Sequence, residues 1–180
     1  MFPFAGLTEA SAVDIIGNGK ANNMGLFQAS INAITGAAIG TTTAPALWNP
    51  SGSGKVMRIL AINLADESGT IIRAHVRHYW AQNPVLSGLT AGTIQPRNGV
   101  ASVGYFYTGI TVGAAATQWM PGVGSGGAVA AQFYNLQEQA FGWYTVNPNE
   151  LFYPYVSNGA LAMVASVGLI WVETPIPTGN

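Results

Sequence analysis

The first pattern in this chain that could do chemistry is glycine-rich. Gly52-Ser53-Gly54-Lys55 matches only the end of the phosphate-binding loop motif. That motif also requires a glycine where this chain has Asn49, and Ser or Thr where it has Val56. No helix is expected to follow whose N-terminus would hold a phosphate. We therefore interpret the pattern as a turn at the entry to a strand.

A second glycine pattern lies further along the chain. Gly122, Gly124 and Gly127 have the spacing of the dinucleotide-binding fingerprint. The fingerprint also needs a preceding strand, a following helix and an acidic residue about 20 positions later. Pro121 precedes the first glycine, and the residues that follow favour β-structure. We therefore predict a long loop over residues 113–127 around Trp119, and loops of this length are usually functional or interfacial.

Metal-binding and catalytic residues are scarce. The chain has no cysteine and only two histidines, His75 and His78. Side chains three apart on a strand point to opposite faces, so these two do not chelate one metal. A carboxylate pair such as Glu138 and Glu150 leaves a glycosidase arrangement open, but no set of residues meets the requirements of an active site. The sequence predicts no enzyme, no cofactor and no metal.

Residues that could bind a partner fall into two groups. A basic stripe on one face of a predicted strand is either solvated or docks onto an acidic patch, where arginine binds carboxylates bidentately. Aromatic side chains could stack on sugar rings, but such residues more often belong to a core or an interface. The candidate partner-binding residues are Arg73, His75, Arg77, Trp119, Trp143 and Tyr144.

Charge is the most unusual property of the composition. Charged residues make up 7% of the chain, against about 25% in ordinary soluble domains. Charge keeps a free surface hydrated and copies apart, so this surface is predicted to be covered by other protein. The net charge of −1 disfavours nucleic acid as a partner, and no apolar run reaches the roughly 18 residues of a membrane helix. The first residues lack the basic region of a secretory signal, so export by a cleaved signal is not expected.

The elements that must position these residues are predicted to be strands. Glycine (23 residues) and proline (10 residues) interrupt the chain too often for helices of normal length. Short runs rich in Val, Ile and aromatic residues lie between them, which is typical of an antiparallel sandwich. Residues 55–65 and 70–81 are predicted to form a hairpin through the turn at 66–69. Val56, Leu60 and Ile62 would then share one face of the first strand.

Later strands are predicted over residues 101–111, 129–136, 141–146, 151–156, 160–166 and 169–173. The eight strands together favour a jelly-roll-like two-sheet sandwich. We assign this domain to residues 47–176, followed by a tail at 177–180. Residues 1–46 are poor in large side chains, so we predict an extended N-terminal arm with at most one strand in a sheet.

Two stretches resemble virion structural proteins of tailed bacteriophages. They are the segment LWNPSGSGK at residues 47–55 with the strand VMRILAINL after it, and GALAMVASVGLIWVETPI at residues 159–176. The resemblance implies a jelly-roll head protein of the decoration or cement type, without catalytic residues. It also implies assembly in the host cytoplasm onto the capsid exterior. The expected partners are the major capsid protein and copies of the chain itself, as a homotrimer.

The expected function is therefore a structural one, namely bridging and stabilising capsid subunits. The alternative is a carbohydrate-binding or host-recognition module on a virion, in a head fibre or tail. This alternative would use the aromatic residues as stacking platforms.

Overall fold

The computed structural model describes residues 25–36, 38–39, 45–66, 70–71, 75–112, 117–124, 129–130, 135–157 and 163–176. Every regular element in these ranges is a β-strand. The prediction of an all-β protein is confirmed. No helix long and apolar enough to cross a membrane occurs within these ranges.

The strands follow one another closely along the chain. They are β1 (Gly25–Gly36), β2 (Ala38–Ile39), β3 (Ala46–Asn49), β4 (Lys55–Asp66), β5 (Thr70–Ile71), β6 (His75–Gln82), β7 (Leu86–Ala91), β8 (Gln95–Pro96), β9 (Tyr105–Val112), β10 (Thr117–Gly124), β11 (Val129–Ala130), β12 (Asn135–Val146), β13 (Glu150–Ser157) and β14 (Met163–Pro175).

The strands form two large antiparallel sheets. The five-stranded sheet has the order β12-β4-β14-β1-β8. The seven-stranded sheet has the order β10-β6-β13-β3-β9-β7, with β2 also paired to β13. The short strands β5 and β11 pair separately.

Eight of these strands are paired as in a jelly roll. Their pairs are nested along the chain: β1 with β14, β3 with β13, β4 with β12, and β6 with β10. Such nesting arises when one long hairpin folds over itself, and the strands then divide between two sheets. Here β12-β4-β14-β1 forms one sheet and β10-β6-β13-β3 forms the other.

The core lies between the two sheets. Alternate side chains of long strands such as β1 and β14 point inward, and the largest fully buried ones include Trp171, Phe27 and Phe106. The rings of Phe27 and Trp171 stack with centroids 5.7 Å apart. Burial of such rings is the main stabilising contribution to a sandwich of this kind.

The predicted hairpin of residues 55–65 and 70–81 is wrong. β4 pairs with β12 and β14 in one sheet, and β6 pairs with β10 and β13 in the other. Residues 67–69 of the predicted turn lie outside the described residues. A local turn pattern does not determine which sheet the next strand joins.

The predicted inward face of β4 is confirmed at Ile62, which is buried in the core, but not at Leu60. Met57 and Ile59 are fully buried in the core, whereas Leu60 is half-buried. The register with β14 shifts between Ile170 and Trp171, opposite Ala61 and Ile59, so Leu60 is an unpaired bulge residue. One extra residue reverses the alternation. Arg58 therefore lies on the face away from the core.

The predicted arm contains a strand that belongs to the sandwich. β1 pairs with β14 along most of its length, and Phe27 is fully buried. Residues 25–36 are thus part of the domain that was expected to begin at residue 47. The rest of the predicted arm before Gly25, and the tail at 177–180, lie outside the described residues.

Two other strand boundaries differ from expectation. Residues 160–166 and 169–173 belong mostly to the single strand β14, because Gly168 pairs on both sides as ordinary extended backbone. Residues 117–124, predicted as loop, form β10 at the edge of the seven-stranded sheet. Edge strands tolerate proline, and Pro121 occupies such a position.

Candidate interaction surface

Residues 83–112, here called the bridging segment, are inserted between jelly-roll strands β6 and β10. Its strand β8 pairs with β1 at one edge of the five-stranded sheet. Its strand β9 pairs with β3 in the other sheet, and β7 pairs with β9. The segment therefore adds the outermost strand to both sheets, β8 next to Phe27 and Gln28 of β1 in one and β7 beyond β9 in the other. Covering an edge in this way limits its pairing with other chains.

A buried carboxylate anchors this segment. Glu173 on β14 is fully buried, and its Oε1 accepts a 2.5 Å hydrogen bond from the hydroxyl of Ser102. Its Oε2 accepts a 3.0 Å bond from the backbone N–H of Val103. Trp171 Nε1 donates to Oε1 at 3.3 Å, and Lys55 Nζ lies 4.0 Å from Oε2. Hydrogen bonds to charged groups are the stronger ones, so the bridging segment is held firmly.

Close packing fixes the same stretch. Gly104 leaves no room for a side chain, because a Cβ built there would lie 2.2 Å from Met57 Cε. Phe106, two residues later, is buried in the core cluster with Met57. The start of β9 is thus positioned by the core on one side, and this determines where its other face points.

The outer face of the seven-stranded sheet is aromatic. Leu47 pairs with Phe106 on the inward face, so their neighbours Trp48 and Tyr105, which also pair, lie on the outer face. Tyr79 and Tyr153 pair on adjacent strands of the same face. We call Trp48, Tyr79, Tyr105, Tyr107 and Tyr153 the aromatic face.

The rings of the aromatic face stack on one another. Trp48 and Tyr105 have centroids 5.5 Å apart, and Tyr105 and Tyr107 are 6.2 Å apart with planes within 7°. Tyr79 and Tyr153 are 5.3 Å apart. Burial raises the pKa of Tyr107, and the neighbouring Tyr105 raises it further. Tyr107 and Tyr153 are buried in a hydrophobic cluster with Ile110 and Leu151, Trp48 and Tyr79 are half-buried, and Tyr105 is the exposed ring of this set.

Exposed apolar side chains concentrate in the bridging segment. Val85, Leu89 and Tyr105 are 69%, 47% and 50% exposed. Among the described residues, Ile176 at 42% is the only other large apolar side chain of this kind. Val85 and Tyr105 lie near opposite ends of the paired strands β7 and β9, so they are separate exposed positions of one segment. Among the described residues this segment is the strongest candidate for a protein contact.

The described surface carries almost no charge. Where side chains are described, the charged ones are Lys55, Arg58, Arg97, Glu150 and Glu173. Lys55, Glu150 and Glu173 are buried, Arg58 is half-buried, and Arg97 is exposed. Three of these few charges therefore contribute little to hydrating the surface.

The residues predicted for the basic stripe are placed only in part. His75 and Arg77 belong to β6, where their backbones pair with Ser157 and Tyr155. Arg73 lies outside the described residues. The structure therefore does not test the stripe as a docking element, and it stays a prediction.

The aromatic candidates are distributed between strands. Trp119 lies on β10 and Trp143 on β12, in a stretch where the register with β4 shifts. Tyr144 is buried in the core and contacts Phe152 and His78, with ring centroids 6.0 Å and 5.1 Å away. Its burial agrees with the expectation that such aromatic residues more often belong to a core. Tyr144 is therefore withdrawn as a partner-binding residue of the free surface.

The glycine motif near Lys55 forms a corner between the two sheets. Gly52 and Gly54 have φ angles of 79° and 67°, which favour glycine. Asn49 Nδ2 donates to the carbonyls of Lys55 and Val146, at 2.8 Å and 2.9 Å. Lys55 begins β4 and its side chain is buried. The predicted turn at a strand entry is confirmed.

The described residues include no cluster of three or more potential metal ligands. Of the two carboxylates named as a possible pair, the side chain of Glu138 is outside the described ones, and Glu150 has structural contacts. Glu150 Oε2 accepts bonds from the backbone and side chain of Asn147, at 2.7 Å and 3.0 Å. Gln82 Nε2 donates to Glu150 Oε1 at 3.2 Å. These contacts close the turn between β12 and β13.

Sequence reasoning missed the residues that dominate the aromatic face. Tyr105-Phe106-Tyr107 is aromatic at every position, so such a strand must place aromatic rings on both of its faces. This pattern, together with Trp48 next to the apolar Leu47, was the signal in the sequence for an aromatic outer face. Only the pairing of β3 with β9 shows that Trp48 and Tyr105 are neighbours.

Neither protein-family models nor curated proteins match this chain. The functional argument therefore depends on the surfaces of the molecule.

Proposed function

We propose that this protein is a structural virion component, a decoration or cement protein that bridges capsid subunits on the capsid exterior. The observation that carries the proposal is the aromatic face with its exposed Tyr105, together with the exposed apolar residues of the bridging segment, in a chain with only 7% charged residues. Aromatic residues are enriched and Lys and Glu depleted where proteins meet.

The physical argument is one of hydration. An isolated sandwich with stacked Trp48 and Tyr105 at its surface exposes apolar area that water solvates poorly. Covering that area is favourable by about 25 cal/mol per Å². Repeated contacts on one particle then add through multivalency, so a lasting assembly forms without a single strong site.

The fold is compatible with this role but does not select it. Jelly rolls occur in viral capsid proteins and also in lectins, and fold alone does not imply function. The resemblance of residues 47–55 and 159–176 to phage virion proteins adds support. These residues include the corner before β4 and most of β14, which are structural positions.

The proposed partners are the major capsid protein and further copies of the chain, arranged as a homotrimer. Three-fold positions on a capsid are natural sites for such modules. A decoration protein that binds only the assembled shell stabilises it by RT ln(1 + [L]/Kd).

The test is to prepare particles with and without the protein and to heat them or shock them osmotically. Particles that lack it should rupture at lower temperature, and adding the purified protein should restore their stability. Equal survival of both preparations would remove the cement role.

A host-recognition module is the second candidate. The half-exposed Tyr105, stacked on Trp48, has the flat shape that sugar rings stack on. A glycan array with the purified protein separates the two functions. Strong binding that Tyr105→Ser abolishes, with no effect of the protein on particle stability, would favour recognition.

A further inference from the structure

A cavity of about 200 Å³ opens on the outer face of the five-stranded sheet. It lies over β1, β4 and β14, and residues of the bridging segment form its wall. Its polar lining consists of Gln28, Ser30, Asn63, Thr93 and Gln95. The cavity is on the side of the sandwich opposite to the aromatic face, and the proposed function does not use it.

The floor of the cavity is a gap in a row of side chains. Gly168 pairs with Ser30 on β1 and with Asn63 on β4. Strands are about 4.8 Å apart, so these two polar residues are separated by roughly 10 Å with no side chain between them. A Cβ at Gly168 would lie 3.6 Å from Asn63 Cβ, which is ordinary contact distance. The glycine therefore leaves room for a ligand without being required by packing.

The amides at the rim are oriented by a chain of hydrogen bonds. Arg97 Nη2 donates to Gln28 Oε1, and Gln28 Nε2 donates to Gln95 Oε1 at 2.6 Å. Because the Gln95 oxygen already accepts a bond, its Nε2 is directed to donate elsewhere. Arg97 therefore orients the amide of Gln28 and is not itself one of the lining residues.

The remaining polar groups have unused hydrogen-bonding capacity. Ser30, Asn63 and Thr93 form no side-chain hydrogen bond with any residue in the described ranges. Hydroxyls and carboxamides both donate and accept. The described lining residues include no charged one, so they complement a neutral ligand that also both donates and accepts at several positions.

We propose that this cavity binds one ring of a neutral saccharide, either free or as part of a longer glycan. Sugar hydroxyls match the mixed donor and acceptor groups of the lining. Gly168 provides a backbone floor, and Ile170, two residues along the same strand, adds an apolar contact for the C–H groups of the ring. The described lining residues include no aromatic ring to stack on the sugar, and we expect dissociation constants of about 1 mM.

The experiment is an NMR titration of the isotope-labelled full chain with methyl glycosides of glucose, galactose, mannose and N-acetylglucosamine. Oligosaccharides of the sugars that bind form a second arm, which distinguishes a free sugar from a glycan. Glucuronic acid and glucose 6-phosphate form a charged arm. We expect saturable shifts for at least one neutral sugar, at the backbone amides of Asn63, Gln95 and Gly168.

Three variants test the site. Asn63→Ala should weaken binding about tenfold, the loss expected for one or two hydrogen bonds. Gly168→Ala should weaken binding by filling the floor. Gln95→Ala, at an exposed position, provides the test if either of the others fails to fold. Ser87→Ala, an exposed hydroxyl on β7 of the other sheet, is the matched control and should bind as the unchanged protein does.

Three results would each overturn the proposal. They are no saturable shift with any neutral sugar, tighter binding of the charged sugars, or shifts at the aromatic face instead of the cavity. The inference does not depend on the cement role. Particle association and sugar binding are measured separately, and the cavity variants are expected to leave particle association unchanged.

Discussion

The outer faces of the two sheets differ in chemistry although they cover the same core. The seven-stranded sheet presents stacked rings, with Tyr105 half exposed over Trp48. The five-stranded sheet presents amides and hydroxyls around Gly168, with Arg97 at the edge. Because side chains alternate along strands, inward residues can be kept for packing while outward ones serve different purposes.

The difference indicates which side of the molecule is built for lasting contact. An aromatic surface gains by leaving water, whereas an amide surface is already well solvated. The bridging segment contributes to both faces, since β8 extends one sheet and β9 the other. It therefore holds the two surfaces in a fixed relation.

The largest expected effect concerns the anchor that both faces share. Glu173→Ala removes the acceptor for Ser102 and Val103 and leaves Lys55 buried without its carboxylate. Breaking a buried pair in this way costs about 3–5 kcal/mol of unfolding free energy. Urea denaturation followed by circular dichroism measures it. Glu173→Gln, which keeps a hydrogen-bond acceptor, should lose less, and equal stability of all three proteins would show that the bridging segment is held by other contacts.

The next effect separates the two faces. Tyr105→Ser should weaken self-association and particle binding about 30-fold, because a central aromatic residue of an interface contributes about 2 kcal/mol or more. Loss of stacking on Trp48 and Tyr107 should reduce stability by only about 1 kcal/mol. Light scattering and co-sedimentation with particles measure both kinds of association.

The matched control for Tyr105 is Gln95→Ser, an exposed position on the opposite face. It should leave both kinds of association unchanged. The comparison fails if Gln95→Ser disrupts assembly as strongly as Tyr105→Ser does.

A smaller effect is expected at the exposed apolar positions beside the aromatic face. Leu89→Lys places a charge where we expect contact with another protein molecule. Desolvating the ammonium group in that contact should reduce self-association several-fold. Stability should change by no more than about 0.5 kcal/mol, as is usual for exposed sites. Ile176→Lys, at an exposed apolar residue outside the bridging segment, is the control. An equal loss in both variants would mean that charge alone, and not its position, opposes association.

The smallest effect is a dependence on alkaline pH. The pKa of Tyr107 is raised above its ordinary value of 10.0 by burial and by Tyr105. The folded state therefore favours the neutral phenol, so this contribution is complete below pH 10 and is lost as the pH rises through the raised pKa. Tyr107→Phe should remove part of the alkaline loss of stability. Identical pH profiles of the two proteins above pH 10 would contradict this.

Much of the strand content could be predicted from the sequence, but less of the pairing. Alternation and turn residues placed β4 and β13 to within one residue, at Lys55–Asp66 and Glu150–Ser157. These elements have strong local patterns. β1 was underestimated because its small residues conceal Phe27, whose burial depends on Trp171 of a distant strand.

Pairing depends on contacts that no local pattern contains. Asp66 and Gly69 indicate a turn, but the strands that flank it belong to different sheets of the jelly roll. Gly168 was expected to interrupt a strand, yet extended backbone accommodates it. The candidate surface was missed for the same reason, because Trp48, Tyr79, Tyr105 and Tyr153 come from four strands.

The central claim is that the aromatic face and its neighbouring apolar residues are covered on a particle. The outer face of the five-stranded sheet around Gln28, Asn63 and Gly168, here called the amide face, stays in water. Hydroxyl-radical footprinting of the free protein and of the protein on capsids tests this claim most directly. The account predicts that oxidation of Tyr105 and Leu89 falls at least several-fold on the particle, while that of Ile170 on the amide face is unchanged. Equal oxidation of Tyr105 in both states, or protection of Ile170 instead, would contradict it.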